Sequence, residues 1–254
     1  MQVFLFLFAV ALAVTMWGRS RFQKIYGQEI EYSLPSKITG AALAGLILQQ
    51  RGIEGVAMCE GAYQYALNYA KDRVQGAPLG QVEAKTIIHH ADVRRMLMHM
   101  KAMTEAARAV NYYAASSLDR GEKGDENAYK RLEFLTPIAK AWATEVAQEV
   151  TGLGVQIHGG MGFVEETGAA QFVRDARIIT IYEGTTGIQA LDLIGRKILR
   201  DGGAQLMSVM AEVEATVKQL QSEPNSLPQL TAELSTALGQ WQKASLDITG
   251  RVMD

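Results

Sequence analysis

The sequence predicts an all-α protein, an up-down four-helix bundle followed by additional C-terminal helices. Three observations carry that prediction. Apolar residues recur at three- and four-residue steps through most of the chain, the spacing that lays a stripe down one face of a helix. The helical stretches are joined by polar turns, and no convincing pair of strands stands between them. Only 5 prolines and 7% aromatic residues in 254 positions weigh against a β-sandwich.

Composition narrows the class of function. Hydrophobic residues make up 48% of the chain and charged residues 20%, enough to bury a sizeable core. Lys+Arg number 25 and Asp+Glu 27, a formal charge of −2, so no basic surface is on hand for nucleic acid. The one cysteine, Cys59, excludes an internal disulfide framework and a cysteine-based zinc site. What remains is a helical, intracellular protein that recognises a neutral or anionic small molecule or another protein.

Residues 1–18, MQVFLFLFAVALAVTMWG, carry no charge, and Arg19, Arg21 and Lys24 follow at once. This stretch reads as a membrane-associated helix whose trailing basic residues leave the rest of the chain in the cytoplasm. A buried helix or an edge strand is the alternative, since Phe4, Phe6 and Phe8 alternate. Residues 19–38 read as a polar linker. A long helix is expected from Thr39 to about Arg73, with Gly45, Gly52, Gly55 and Gly61 letting a neighbouring backbone come close. A second begins near Asp92, with that carboxylate as its cap, and buries Met96, Met100 and Met103 as gap-filling core. On this helix Arg94, Arg95, Lys101 and Arg108 read as the solvated face. A third runs through Leu132, Leu135, Ile138, Ala139, Trp142, Val146 and Val150, with Pro137 either at its start or at a mild kink. Thr185 to Arg200 gives a fourth, so that the bundle occupies 39–202. Two further helices, about 203–221 and 228–249, complete 203–254.

The chemistry is expected in the glycine-rich segment Thr151–Gln189. Glycines 152, 154, 159, 160 and 162 permit positive φ and bare backbone amides, as phosphate binding needs; a tight inter-helix loop explains them equally well. No Gly-Lys-Ser/Thr follows for a P-loop, and no strand precedes for a Rossmann fingerprint. Glu183 is more specific. It follows the apolar run Ile178–Tyr182 and precedes Gly184-Thr185-Thr186, where a helix begins. An apolar wall disfavours the charged carboxylate and readies it as a general base near neutral pH. A surface glutamate complementing a helix dipole is the alternative. His89, His90 and His99 lack metal-ligand spacing and are expected to face solvent, whereas His158, beside two glycines, is a candidate for a cofactor's edge. No serine stands in a Gly-x-Ser-x-Gly turn, which leaves a hydrolytic triad without its nucleophile.

Several linked motifs then agree. QIHGGMGF at 156–163, VRDARI at 173–178 and IYEGTTGIQ at 181–189 resemble the C-terminal helical domain of the acyl-CoA dehydrogenases. AYQYALNYAKDRVQG at 62–76 is similar to an earlier helix of that family. IIHHADVRRMLMHMKAMTEAARAV and YEGTTGIQALDLIGRKIL resemble the branch that holds the 3-methylmercaptopropionyl-CoA dehydrogenases. The resemblance covers roughly 52–203. Residues 1–51 match neither the N-terminal helical domain nor the middle β-barrel of the family, so the resemblance implies an N-terminally truncated member.

What the resemblance implies is concrete. Glu183 matches the base that takes the α-proton of an acyl-CoA thioester while the β-hydrogen leaves as hydride to FAD. The Glu183 amide would polarise the thioester carbonyl, with Tyr182 and Gly184 against the substrate. Arg73 and Gln75 match positions that contact FAD across a dimer interface. Gln156, Gly159 and Gly160 match the loop that holds the adenine-ribose half from the partner subunit, and Thr185 matches a flavin-contacting hydroxyl. The implied partners are an acyl-CoA substrate, electron-transfer flavoprotein or an equivalent acceptor, and further copies of the chain as a homodimer or homotetramer. The alternative is a non-catalytic bundle from the same family, membrane-tethered by residues 1–18 or serving as a partner subunit. No metal is implied.

Overall fold

The first helix, α1 (Gly40–Asp72), owes its packing to small residues. Gly55, Cys59, Ala62, Ala66 and Ala70 recur at three- and four-residue steps and are all buried. They let α1 lie close to a later helix: a Cβ added at Gly55 would stand 2.7 Å from the carbonyl oxygen of Ala143. Gly55 thus marks the close approach of a neighbouring backbone that was expected, whereas Gly61 makes room for a side chain, the ring of Phe172. Burial pushes the Cys59 thiol up to about 12, which makes it an inert core group.

The structure is a computed structural model that describes residues 40–223 and 227–253. The apolar stretch 1–18 and the linker 19–38 lie outside the described residues. The chain divides into two units, Met1–Ala44 and Gly45–Asp254. Of the first, only the helical backbone of residues 40–44 is described; α1 from Gly45 onward and the elements that follow belong to the second. Among the described residues no helix is long and apolar enough to cross a membrane.

The all-α expectation holds. After α1 come α2 (Ala91–Glu122), α3 (Glu126–His158), the short α4 (Gly160–Phe163), α5 (Ala169–Ile179) and α6 (Thr186–Leu191). The last runs on as a π-helical turn, Asp192–Ile198, and α7 (Ala204–Ser222) and α8 (Pro228–Met253) follow. Helix α3 packs along α2 and also against α5, α6 and α7, while α8 packs on α7. Two apolar clusters result. One joins α1, α2, α3 and α5 around Met100, Ala107, Ala147 and Ile179; the other joins α2, α3 and α7 around Leu118, Phe134 and Val209. Buried Thr104, Thr136, Thr144 and Thr151 each donate to the carbonyl four residues back, so none leaves a bare hydroxyl in the core.

Several local expectations are corrected. Helix α2 begins one residue earlier than Asp92, with His90 at the cap position and no side-chain cap; Asp92 instead pairs with Arg95 at 2.9 Å. Arg108 is not on a solvated face, because it crosses to Glu60 of α1 at 2.6 Å and is half-buried. His99 pairs with Glu149 at 2.7 Å, and His90 bonds the Gln75 carbonyl at 2.9 Å, so neither simply faces water. Pro137 is buried inside α3, whose start is capped by the Asp125 carboxylate accepting from the Ala128 amide.

Arg131 ties α3 to α2 and α7, donating to Tyr113, to Ser208 at 2.6 Å and to the Glu212 carboxylate. The hydrogen bond from Tyr113, then the Arg131 guanidinium, holds the Glu212 carboxyl below the usual 4.5. A carboxylate so lowered contributes stability above 4.5 and loses it as pH falls through the lowered value. Glu212→Gln is therefore expected to flatten the fall in melting temperature between about pH 5 and about pH 3. Thermal melts followed by circular dichroism check this, and a variant with the parent's acid slope would remove Glu212 from the acid response.

Candidate active site

The segment Thr151–Gln189, expected to be a glycine-rich loop, is mostly helical. Gly152 and Gly154 lie inside α3, Gly160 and Gly162 inside α4, and only Gly159 (φ 61) and Gly168 (φ 76) have positive φ before the turn that holds Glu183. Gly162 is there for space: a Cβ would fall 2.3 Å from the Val155 carbonyl oxygen. Cβ atoms at Gly159 or Gly160 would meet nothing within 4 Å, so that stretch of backbone is open to a ligand. His158 does not stand at an exposed edge. It is buried, its Nδ1 is 2.7 Å from the Gly154 carbonyl, and its ring stacks on Tyr69 (4.3 Å) and Tyr65 (5.0 Å).

That stack fixes one end of the bundle. Tyr69 precedes Arg73 by one helical turn, so the end of α1 and the end of α3 meet there. Arg73, Gln75, Gln156, Gly159 and Gly160 are all exposed at this end, with the Arg73 guanidinium 3.4 Å from Gln75 Oε1. A guanidinium, two carboxamides and an open glycine backbone suit a phosphate- and ribose-bearing group, and their exposure leaves them available to one.

Glu183 stands elsewhere. Helix α5 ends at Ile179, and Ile181 and Tyr182 turn back by donating their amides to the Ile178 carbonyl at 3.0 and 3.2 Å. Glu183 then has φ 58, the one non-glycine residue with positive φ among the described residues. Gly184 (φ 96) follows, and a Cβ there would approach Gln189 Nε2 to 2.7 Å. Thr185 is the exposed cap of α6 and makes no side-chain cap bond. Left-handed backbone costs a residue with a Cβ about 1–2 kcal/mol and persists where surrounding contacts over-determine it.

Those contacts are visible, and the sequence reading missed them. Lys140 of α3 is buried and donates from Nζ to the carbonyls of Gly184 (2.7 Å) and Ile179 (3.1 Å). Burial pushes its ammonium below the usual 10.5, against the pull of the Glu183 and Glu145 carboxylates. Tyr182 donates its phenol to Glu54 of α1 at 2.6 Å, and buried Gln189 reaches the Glu183 carbonyl at 3.4 Å. Thr186 donates to Glu145. The signal for Lys140 was a lysine in step with the inward positions of α3, next to Ala139 and Ala143.

The Glu183 side chain is exposed, which corrects the expectation of a carboxylate held dry by this chain. An apolar cleft of about 320 Å³ between α3 and α6 is lined by Ile138, Trp142, Thr186 and Leu193 among others; it adjoins the turn through Gln189, and Glu183 does not line it. Lys140, which marks the Glu183 turn, and His158, which marks the glycine end, are separated along α3 by roughly 27 Å at 1.5 Å per residue. The expected site residues thus form two groups, Tyr182–Thr185 and Arg73–Gly160, and one copy of the chain does not bring them together.

A family model for the acyl-CoA dehydrogenase C-terminal domain matches residues 49–199. The chain is 50% identical over 192 residues to 3-methylmercaptopropionyl-CoA dehydrogenase of Ruegeria pomeroyi, covering 73% of this chain and 33% of that one. It is 36% identical over 213 residues to the broad-specificity linear acyl-CoA dehydrogenase FadE5 of Mycobacterium tuberculosis, covering 80% and 35%. Among solved structures, Caenorhabditis elegans ACDH-11 in complex with C11-CoA superposes with a TM-score of 0.62 at 21% identity, over 81% of this chain and 34% of that one, a likeness of fold. The chain spans about a third of the length of these curated relatives. On the matched domain and the fold together, the chain belongs to the acyl-CoA dehydrogenase family, whose members are FAD-dependent, and carries that family's C-terminal helical bundle.

Proposed function

We propose that this chain provides the catalytic-base domain of an FAD-dependent acyl-CoA dehydrogenase that oxidises the α,β-bond of an acyl-CoA thioester. The observation that carries the reading is Glu183, held in left-handed backbone on a turn braced from α1, α3 and α6. Strain of that kind gathers where a side chain must be aimed rather than merely packed. In this reading the Glu183 carboxylate accepts the α-proton of the thioester. Its backbone amide donates to the thioester carbonyl and stabilises the negative charge that develops there, and Tyr182 and Gly184 line the acyl-CoA. FAD, when bound, supplies the acceptor for the β-hydride.

Arg73 and Gln75 would hold the flavin's pyrophosphate, Gln156, Gly159 and Gly160 its adenosine half, and Thr185 the ring end. Because the two groups lie at separate places along the bundle, a complete site draws one group from each of two copies, which supports a homodimer or homotetramer. Exposed Ile178, Ile181, Ile188 and Leu191 around the Glu183 turn give a covering chain apolar surface to bury. Electrons leave to electron-transfer flavoprotein or an equivalent acceptor. The compartment is the cytoplasm, with residues 1–18 as the candidate for a tether to the inner membrane.

Adding FAD to the purified chain tests this directly. The expected result is a resolved flavin absorption band with quenched fluorescence, bleached when a saturated acyl-CoA is added. A spectrum indistinguishable from free FAD at micromolar protein would reject the dehydrogenase reading for this polypeptide and favour the non-catalytic bundle.

A further inference from the structure

Lys140 is buried, yet its ammonium pairs with no carboxylate at hydrogen-bond distance among the described contacts; it serves two backbone carbonyls. Removing an ammonium from water is expensive, and two neutral carbonyls return only part of that cost. Packing alone, which an apolar side chain would supply without that cost, is therefore a poor account of the position. The two carbonyls bracket one feature: Ile179 ends α5 and Gly184 follows Glu183. Drawing both toward one Nζ shortens the path between them, so the four residues from Thr180 to Glu183 must curl, and the curl is completed by positive φ at Glu183 and Gly184.

We propose that Lys140 is the positioning residue of the Glu183 turn, holding the Ile179 and Gly184 carbonyls on one ammonium and so keeping Glu183 in its left-handed conformation. The inference rests on the dehydrogenase reading for its catalytic meaning, and on the geometry alone for the clamp itself. The charged groups facing Nζ are the carboxylates of Glu183 and Glu145. Lys140 touches no reacting atom; it acts through the backbone on either side of the base.

Hydrogen exchange on the full 254-residue chain reads the clamp without flavin or turnover. In Lys140→Met the amides of Ile181 and Tyr182, bonded to the Ile178 carbonyl, and of Gln189, bonded to that of Thr185, are expected to exchange at least tenfold faster. Amides of the α2–α3 core stay within error of the parent, and the melting temperature falls by no more than a few degrees, the cost of leaving two carbonyls without their donor. Glu183→Gly supplies the rescue: with no Cβ to resist positive φ, adding Lys140→Met there should speed exchange less than threefold. In the Glu183→Gln background the tenfold effect should persist, because the left-handed cost remains and only the charge is gone. Equal effects in all three backgrounds would overturn the proposal, as would loss in the Glu183→Gln background, which would mean a simple ion pair. Global loss of helicity in Lys140→Met would also overturn it, since the residue would then hold the bundle. Failure of the flavin titration leaves this cycle readable, so the two readings fall separately.

Discussion

Glu183→Gln is expected to keep the helical content and the flavin affinity of the parent while slowing acyl-CoA-driven bleaching of the flavin by about 10²–10⁴-fold, the usual range for loss of a general base. The amide keeps the length of the side chain and the left-handed backbone, but it cannot accept the α-proton. Glu183→Gly should be equally inactive and, unlike most losses of a functional group, slightly more stable. The left-handed region costs glutamate about 1–2 kcal/mol, and glycine escapes that cost while losing about 0.5–1 kcal/mol through its freer unfolded chain. The net gain of about 0.5–1 kcal/mol corresponds to roughly 1–4 °C in melting temperature for a chain of this size. Stopped-flow absorbance and calorimetry read the two effects. A Glu183→Gln chain that still bleaches flavin would take Glu183 out of the chemistry. A Glu183→Gly chain that melts lower would show that the turn carries no strain.

Much of this architecture was legible because it depends on periodicity. The stripe of small and apolar residues in α1, the methionines of α2, and the two C-terminal helices fall where the three- and four-residue steps put them. The segment around Gly152 and Gly154 was misread, since glycine in a sequence marks either freedom or closeness. Inside α3 the answer was helix: a Cβ at Gly154 would make only ordinary contact with Ala62 of α1, at 3.7 Å, and one at Gly152 would meet nothing within 4 Å, so neither glycine is there for a loop. Glu183 could be singled out by its neighbours in the chain, yet what braces it comes from Lys140 and Glu54, far away in sequence and joined to it only by the fold. Its exposure was illegible for a different reason. A sequence pattern shows that apolar residues precede Glu183, but Ile178 and Ile181 point outward, so the apolar wall faces whatever covers the bundle rather than the carboxylate within it.

Two phenylalanines separate what this chain needs in order to fold from what it offers to a covering partner. Phe134 is 1% exposed in the cluster that joins α2, α3 and α7, and Phe134→Ala is expected to cost about 3–5 kcal/mol, the lost transfer energy together with the cavity left behind. At about 2–4 °C per kcal/mol, the melting temperature should fall by roughly 6–20 °C. Phe163, in α4 beside the open glycines, is 81% exposed, and Phe163→Ala should change the stability of the isolated chain by no more than about 0.5 kcal/mol. Its ring nevertheless stands in the same short helix as Gly160, one of the residues expected to serve the site of another copy, so its removal should weaken self-association in sedimentation velocity while leaving the melt of the dilute chain untouched. Were Phe163→Ala to melt as low as Phe134→Ala, the ring would be part of this chain's own core, and the surface around Gly159 would be closed to a second copy.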